Sequence, residues 1–559
     1  MSITAFLRPI AGLLVLGLSV ASLPAAGQLL TEKQAYTHGD TLRGTMTPER
    51  TWWNLLHYHL QVRVNPTDST FSGQNTIKYR VVRASQVMQI DLQSPMTLIR
   101  AEQDGQPLPI RTDGNAHFIT LAKPQRPGRT ETITVDYGGK PRVAKNAPWD
   151  GGVSWARDTD STKSWFIATS CQGLGSSVWW PCKDHMYDEP DSMLISVTVP
   201  EPYMDVSNGQ LRRVVTNADH TRTYDWAVVN PINNYGVNVN IAKYVTWNET
   251  YQGESGPLQL SFFALPKDEA AARVQFQQAK TMLRVFENWF GPYPFYKDGY
   301  KLVQVPYLGM EHQSSVTYGN KFRNGYLGRD LSRTGWGLRW DFIIVHESGH
   351  EWFANNITYK DIADMWIHES FTAYSENLYT EALFGKNAGA QYVIGTRVGI
   401  RNDRPIIGDY NVNSEGSGDM YYKGANMLHM IRQGVGNDEK WRQILRGLNK
   451  TFYHQTVTTQ QIESYLIKQT GLPLKPLFDQ YLRDARVPVL EYKITPEGVA
   501  YRFANCQKGF TTPIRLCLND AGPRRIVTPS TTWQTLSQPN IKEVNVDADY
   551  YVLTKMVDL

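Results

Sequence analysis

Residues 341–352 read Asp-Phe-Ile-Ile-Val-His-Glu-Ser-Gly-His-Glu-Trp, and they lie in a stretch, Trp340 to Asn355, whose patterning predicts a helix. Residues four apart on a helix stand one turn apart on the same face, so His346 and His350 can both reach one ion while Glu347 stands beside its bound water. A helical His-Glu-x-x-His is a zinc signature. Catalytic zinc takes three protein ligands and keeps a fourth position open for water, and several carboxylates can supply the third ligand. One of them, Glu369, lies on the next predicted helix, which begins Asp364-Met-Trp-Ile-His-Glu, with eighteen residues separating it from His350. A turn and an antiparallel second helix would carry Glu369 back over the two imidazoles. Taken alone, it is equally well read as a solvated helix residue. Glu376, seven residues further on, falls on the same face and is positioned to orient a zinc-bound imidazole.

Outward from this segment, helical patterning runs from about residue 264 to 488. After Pro266, Asp268 is placed to cap a helix in which Met282, Leu283, Phe286 and Phe290 share one face, stopped by Gly291 and Pro292. Further helices are expected at Met365–Phe384, Gly424–Gln433 and Thr459–Thr470. Before this block the period is two. Tyr58, Leu60, Val62 and Val64 alternate with His59, Gln61 and Arg63, and the pattern returns at Ile77–Val81, Ile133–Tyr137 and Ile195–Val199. Alternation reappears at Val499, Tyr501 and Phe503 and at Val544 and Val546. The expected architecture is multidomain α+β, with an N-terminal antiparallel β domain at 28–263, a mainly helical catalytic domain at 264–488 and a small C-terminal β domain at 489–559.

The 559 residues exclude one small module, and 41% apolar with 20% charged residues is globular composition. Lysine and arginine number 57 against 53 acids, a net charge of +4 without a long basic run, which argues against nucleic acid as the partner. Arg8 followed by the apolar run Ile10–Leu23 and the small residues Ala25, Ala26 and Gly27 reads as a signal peptide at 1–27, so the chain is expected to be exported, periplasmic or secreted. The apolar run is too short for a stable membrane span. In an oxidising compartment Cys171 with Cys182, and Cys506 with Cys517, would be the favoured disulfide pairs, with free thiols the alternative.

The sequence His346-Glu-Ser-Gly-His-Glu-Trp-Phe-Ala-Asn-Asn-Ile-Thr, followed by Trp366-Ile-His-Glu-Ser-Phe-Thr-Ala-Tyr, resembles the zinc aminopeptidase family of aminopeptidase N and the leukotriene hydrolases, the gluzincin metallopeptidases. The resemblance implies a thermolysin-like catalytic domain with one Zn2+ per chain held by His346, His350 and Glu369. Leu308-Gly-Met-Glu-His resembles the family's Gly-Ala-Met-Glu-Asn, which places Gly309 and Glu311 at the free α-ammonium of the substrate; His312 departs from the family's Asn. Met420-Tyr-Tyr-Lys-Gly resembles Tyr-x-Lys-Gly and maps the catalytic tyrosine onto Tyr421, with Tyr422 the alternative one residue on. Cys171-Gln-Gly-Leu-Gly-Ser-Ser-Val-Trp-Trp-Pro-Cys carries Gln172 into the amine site, although the family's Arg is missing from this segment. The resemblance covers about residues 170–425, and the long helical C-terminal domain of many relatives has no counterpart in the remaining 70 or so residues.

The implied activity is hydrolysis of the N-terminal residue from peptides with a free α-amine, with Glu347 as general base and Tyr421 supporting the oxyanion. Two alternatives are a zinc endopeptidase, which would not need Glu311 and Gln172, and a non-catalytic zinc-bearing peptide-binding protein.

Overall fold

The period-two segment around Tyr58 forms the strand Trp53–Asn65, which pairs antiparallel with Thr70–Val81 and parallel with Ser192–Pro200. Tyr58, Leu60, Val62 and Val64 are buried, whereas Gln61 and Arg63 face solvent. These strands belong to an eight-stranded sheet. Its buried face shares one core with a four-stranded sheet built around Trp165–Ser170 and a three-stranded sheet containing Ser85–Asp91. Each large side chain buried here contributes on the order of 1.5–3 kcal/mol. This description rests on a computed structural model covering residues 35–519 and 524–558. The leader expected at 1–27 lies outside the described residues.

A five-stranded sheet crosses residue 263. The hairpin Val245–Gly253 and Gly256–Ala264 continues through parallel pairing with Tyr300–Gln304 into Val316–Tyr318 and the edge strand Gly309–Met310. Four helices build the site beside this sheet: α1 at Gln278–Phe290, α2 at Phe342–Gly349, α3 at Trp366–Phe384 and α4 at Tyr422–Val435. Met282, Leu283, Phe286 and Phe290 are all buried along α1, which stops at Gly291, where φ is 96°. Asp268 stands at the N-cap position of a separate short helix, Glu269–Gln275, rather than of α1, and its side chain makes no cap hydrogen bond. It ends a short 3-10 turn, and its carboxylate accepts from Gln304 Nε2 instead.

Asp341 caps α2 by accepting from the backbone N–H groups of Ile343 and Ile344. The helix expected to reach Asn355 ends at Gly349, and a π-type segment follows at Glu351–Asn356. Phe353, with φ −128° and ψ 76°, leaves helical geometry and turns the chain into the strand Ile357–Tyr359, which pairs with Gln455–Val457. Gly349 brings α2 close to α3, since a Cβ there would stand 2.8 Å from Ser375 Oγ. The C-terminal region is two small sheets, of four and three strands, closing over Leu490, Val499, Phe503, Ile514, Leu516 and Val544.

All four cysteines are free, so neither expected disulfide forms. The Cys182 backbone is engaged with Asp91 and its thiol meets Ser176 Oγ at 3.3 Å rather than Cys171.

Candidate metal centre and active-site cavity

His346 and Glu347 project from the last turn of α2, and His350 is its C-terminal cap residue, still in the right-handed helical region, so the i, i+4 relation survives the end of the helix. From α3, Glu369 presents Oε2 at 3.7 Å from His346 Nε2 and 3.4 Å from His350 Nε2. These three residues can each offer one ligand atom within 4.8 Å of the others. Two ligands at 2.0–2.2 Å from a tetrahedral zinc stand about 3.3–3.5 Å apart, so the spacing matches a shared ion. Glu369 Oε2 is also buried without any hydrogen-bond partner, a state that leaves its desolvation uncompensated until a cation meets it. Two nitrogens and one carboxylate oxygen form a zinc donor set.

The opposite ring atoms of both histidines are held. His346 Nδ1 faces Glu376 Oε1 at 2.7 Å, and Glu376 is fixed through its other oxygen by the Tyr392 hydroxyl, also at 2.7 Å. His350 Nδ1 donates to the Phe353 carbonyl at 2.9 Å and has Thr372 Oγ1 at 3.0 Å. The break in α2 creates the Phe353 contact, since only a residue that leaves the helix can turn its carbonyl back to the ring. With both Nδ1 atoms bonded in this way, each Nε2 lone pair is directed to the cluster.

Charge in the cluster is divided unequally. Burial raises both Glu347 and Glu311 against the pull of the histidines, with Glu311 and Glu369 adding to the rise of Glu347 and Glu369 to that of Glu311. Glu369 moves the other way: burial opposes ionisation, but His350 and His346 hold it low. Burial likewise opposes protonation of His346, yet Glu369 and Glu376 draw it upward. The opposite directions of these shifts are what closely packed imidazoles and carboxylates impose on one another.

Gln172, arriving from the N-terminal β domain, donates from Nε2 to Glu311 Oε1 at 2.7 Å and to Glu369 Oε1 at 3.0 Å. Tyr235 donates its hydroxyl to the same Glu311 oxygen at 3.1 Å, and Asn355 Nδ2 holds the Glu311 backbone carbonyl at 2.9 Å. No hydrogen bond among the described residues takes Glu311 Oε2. Gly309 lies at the sheet edge against α2, where a Cβ would come within 2.5 Å of Ile343 Cγ2. Tyr421 stacks at 6.0 Å on the His346 ring, whereas Tyr422 meets Tyr421 at a tilt. Burial, then Glu369, raises the Tyr421 phenol, which therefore keeps its proton.

Gln172, Gly309, Glu311, His346, Glu347, His350, Glu369 and Tyr421 all line one cavity of about 1000 Å3, whereas Glu376 stands behind His346 outside it. His312 does not line it either. It is buried with Nδ1 on Thr317 Oγ1 at 3.2 Å. Sequence reasoning missed Tyr235, Thr372, Tyr392 and the cavity-lining Trp149, Arg401, Arg404 and Glu415. Of these, only Thr372, one helical turn after Glu369, carried a positional signal.

Residues 274–481 match the model of the peptidase family M1 domain, and residues 54–235 match that of the peptidase M1 N-terminal domain. The chain belongs to peptidase family M1. Endoplasmic reticulum aminopeptidase 1 of Rattus norvegicus is 24% identical over 432 residues, 72% of this chain and 44% of that protein. Aminopeptidase M1-B of Oryza sativa subsp. japonica is 28% identical over 228 residues, covering 38% and 25% respectively. This M1 chain thus spans less than half the length of these curated relatives. An M1 zinc metallopeptidase from Deinococcus radiodurans has the same fold, with a TM-score of 0.64, 21% identity, and coverage of 80% of this chain and 98% of that one.

Proposed function

We propose that this chain is a zinc aminopeptidase that removes the first residue from peptides with a free α-amine. The observation that carries this reading is the Gln172 amide bridging Glu311 to Glu369, which couples a buried anionic anchor directly to the metal carboxylate. His346, His350 and Glu369 would hold the zinc. When bound, the ion supplies a Lewis acid for a water and the scissile carbonyl.

The protein groups do the rest. Glu311 Oε2 receives the substrate ammonium, which must be paired once it leaves water, and Gln172 and Tyr235 keep that carboxylate from turning away. This fixes the first peptide bond at the cluster. Glu347, raised by burial toward the pH of the reaction, takes the proton of the attacking water and delivers it to the departing amine. Tyr421, still protonated, donates to the carbonyl oxygen as it becomes anionic. An endopeptidase would have no use for a buried carboxylate at Glu311, and a purely binding protein would have none for Glu347 and Tyr421 beside an open ligand position.

The leader-like residues 1–27 support export to a periplasmic or secreted location as part of the same proposal. Among the described residues no helix is long and apolar enough to cross a membrane.

The test is a panel of amino-acid fluorogenic amides with their N-acetylated counterparts, run with and without a chelator and with Glu347→Gln. Release should require metal, a free amine and Glu347. Comparable turnover of acetylated substrates would remove the amine anchor, and turnover surviving chelation would remove the metal.

A further inference from the structure

The match to the M1 N-terminal domain begins at residue 54, and the segment before it packs behind the active-site cavity. Its short helix, His38–Gly44, meets two loops that line the cavity. One loop supplies Asn413, Ser414 and Glu415. There Tyr36 donates its hydroxyl to Asp409 Oδ2 at 2.6 Å, Thr45 Oγ1 donates to the Asn411 carbonyl at 3.0 Å, and the Asn413 N–H donates to the Asp40 carbonyl at 3.1 Å. The other is the turn Cys171–Gly175, which carries Gln172, and the helix reaches it through Arg43.

Arg43 is placed by Arg50. The fully buried Arg50 donates from Nη1 to the carbonyls of Leu42, Arg43 and Thr45 at 3.2, 2.7 and 2.9 Å, so a cation sits on the last carbonyls of the helix. Its Nη2 donates to Asp91 Oδ2 at 2.7 Å, and the same oxygen accepts from the Asp184 N–H at 3.1 Å. One arginine therefore ties the helix end and Asp184 to a single frame. From this frame Arg43 Nε stands 3.6 Å from Asp184 Oδ2. Its guanidinium fills the space a side chain at position 175 would need: a Cβ on Gly175, where φ is 90°, would lie 2.0 Å from Arg43 Nη2 and 2.2 Å from Asp184 Oδ2. Gly175 in turn closes the Gln172 turn, its N–H donating to the Cys171 carbonyl at 2.7 Å. The stretch Cys171–Cys182 has no arginine of its own. The turn is also held at Gly173, whose carbonyl accepts from Asn413 Nδ2 at 3.3 Å, and the Asn413 backbone is itself bonded to Asp40. Both grips on the turn thus trace back to the segment before residue 54.

We propose that Arg43 is a positioning residue for the amine site, its guanidinium wedged against Gly175 and Asp184 so that the turn aims Gln172 Nε2 at Glu311. The proposal rests on the reading of Glu311 and Gln172 as the ammonium anchor. A planar, permanently charged group suits the task, because it supports the turn by shape and pairs with Asp184 at any working pH. The helix His38–Gly44 then serves substrate selection without touching substrate.

A double-variant cycle on the metal-loaded full chain tests this, with zinc content matched across variants and with an amino-acid amide and its analogue lacking the α-amine as substrates. Arg43→Ala should raise KM for the free-amine amide about 10-fold while kcat, and turnover of the deaminated analogue, stay within about threefold. Gln172→Ala should do the same, and the double variant should lose little more than either single one, because the two residues act as a unit. Should Arg43→Ala not fold, Arg43→Gln, which keeps most of the length and drops the charge, takes its place in the cycle. The proposal is overturned if Gln172→Ala is impaired and the Arg43 variant is not, if both substrates lose turnover in parallel, or if the two losses multiply in the double variant. An unchanged free-amine KM in Gln172→Ala would remove the anchor reading itself, and the proposal with it.

Discussion

Replacing Glu311 with glutamine removes one charge and almost nothing else. The amide oxygen can still accept from Gln172 and Tyr235, now 2.7 and 3.1 Å from Oε1, and the residue is only 3% exposed. What is lost is the counter-charge for the substrate ammonium. Breaking one side of a buried ion pair costs about 3–5 kcal/mol. At about 1.4 kcal/mol per factor of ten, kcat/KM for a free-amine amide should fall by roughly 10²- to 10⁴-fold. The measurement pairs each amino-acid amide with an analogue lacking the α-amine, on wild type and Glu311→Gln, after zinc content and Tm are shown to match. The free-amine substrate should lose nearly all its advantage and the deaminated analogue should change little. If Glu311→Gln retains wild-type kcat/KM within threefold, or if both substrates lose activity in parallel, Glu311 is not the ammonium anchor.

Three further outcomes are expected. Glu376→Gln leaves His346 Nδ1 without its anionic acceptor at 2.7 Å, and zinc affinity measured against a chromophoric chelator should drop about 10- to 100-fold; an unchanged affinity would show that His346 needs no orienting carboxylate. Tyr421→Phe should reduce kcat by about 10²- to 10³-fold with little change in KM, whereas Tyr422→Phe should stay within a few-fold, and reversal of that order would move the oxyanion donor one residue along. His312 is held down to about 3 by burial and so stays neutral in the fold, while the unfolded chain binds a proton below about 6.5. Its contribution is complete above pH 6.5 and is lost as pH falls toward 3, about 2 kcal/mol of it by pH 5. Urea unfolding at pH 7 and pH 5 should show a smaller acid loss for His312→Asn than for wild type, and equal losses would exclude His312 as the source.

The metal cluster was legible because helical periodicity alone sets His346 beside His350, and an antiparallel return brings Glu369 within reach. The β domain was legible for a similar reason, since Tyr58, Leu60, Val62 and Val64 had to share a face. Family resemblance was needed for Gln172 and Glu311, which lie 139 residues apart in sequence. Tyr235 and Tyr392 carried no local signal, because their roles arise only from where distant elements pack. The Phe353 carbonyl was hidden by the same break that shortened α2, as a smooth helix to Asn355 offers no backbone oxygen to His350. Charge and composition likewise gave no hint that Arg43 would stand against the turn that carries Gln172.

Gln172 belongs to the half of the chain synthesised first, yet both of its acceptors, Glu311 and Glu369, come later. An N-terminal half alone therefore holds only the Gln172 jaw of the clamp, while both carboxylates it grips lie on the later half. The bridge between the chain-end anchor and the metal carboxylate thus comes into being only when the two domains close on each other.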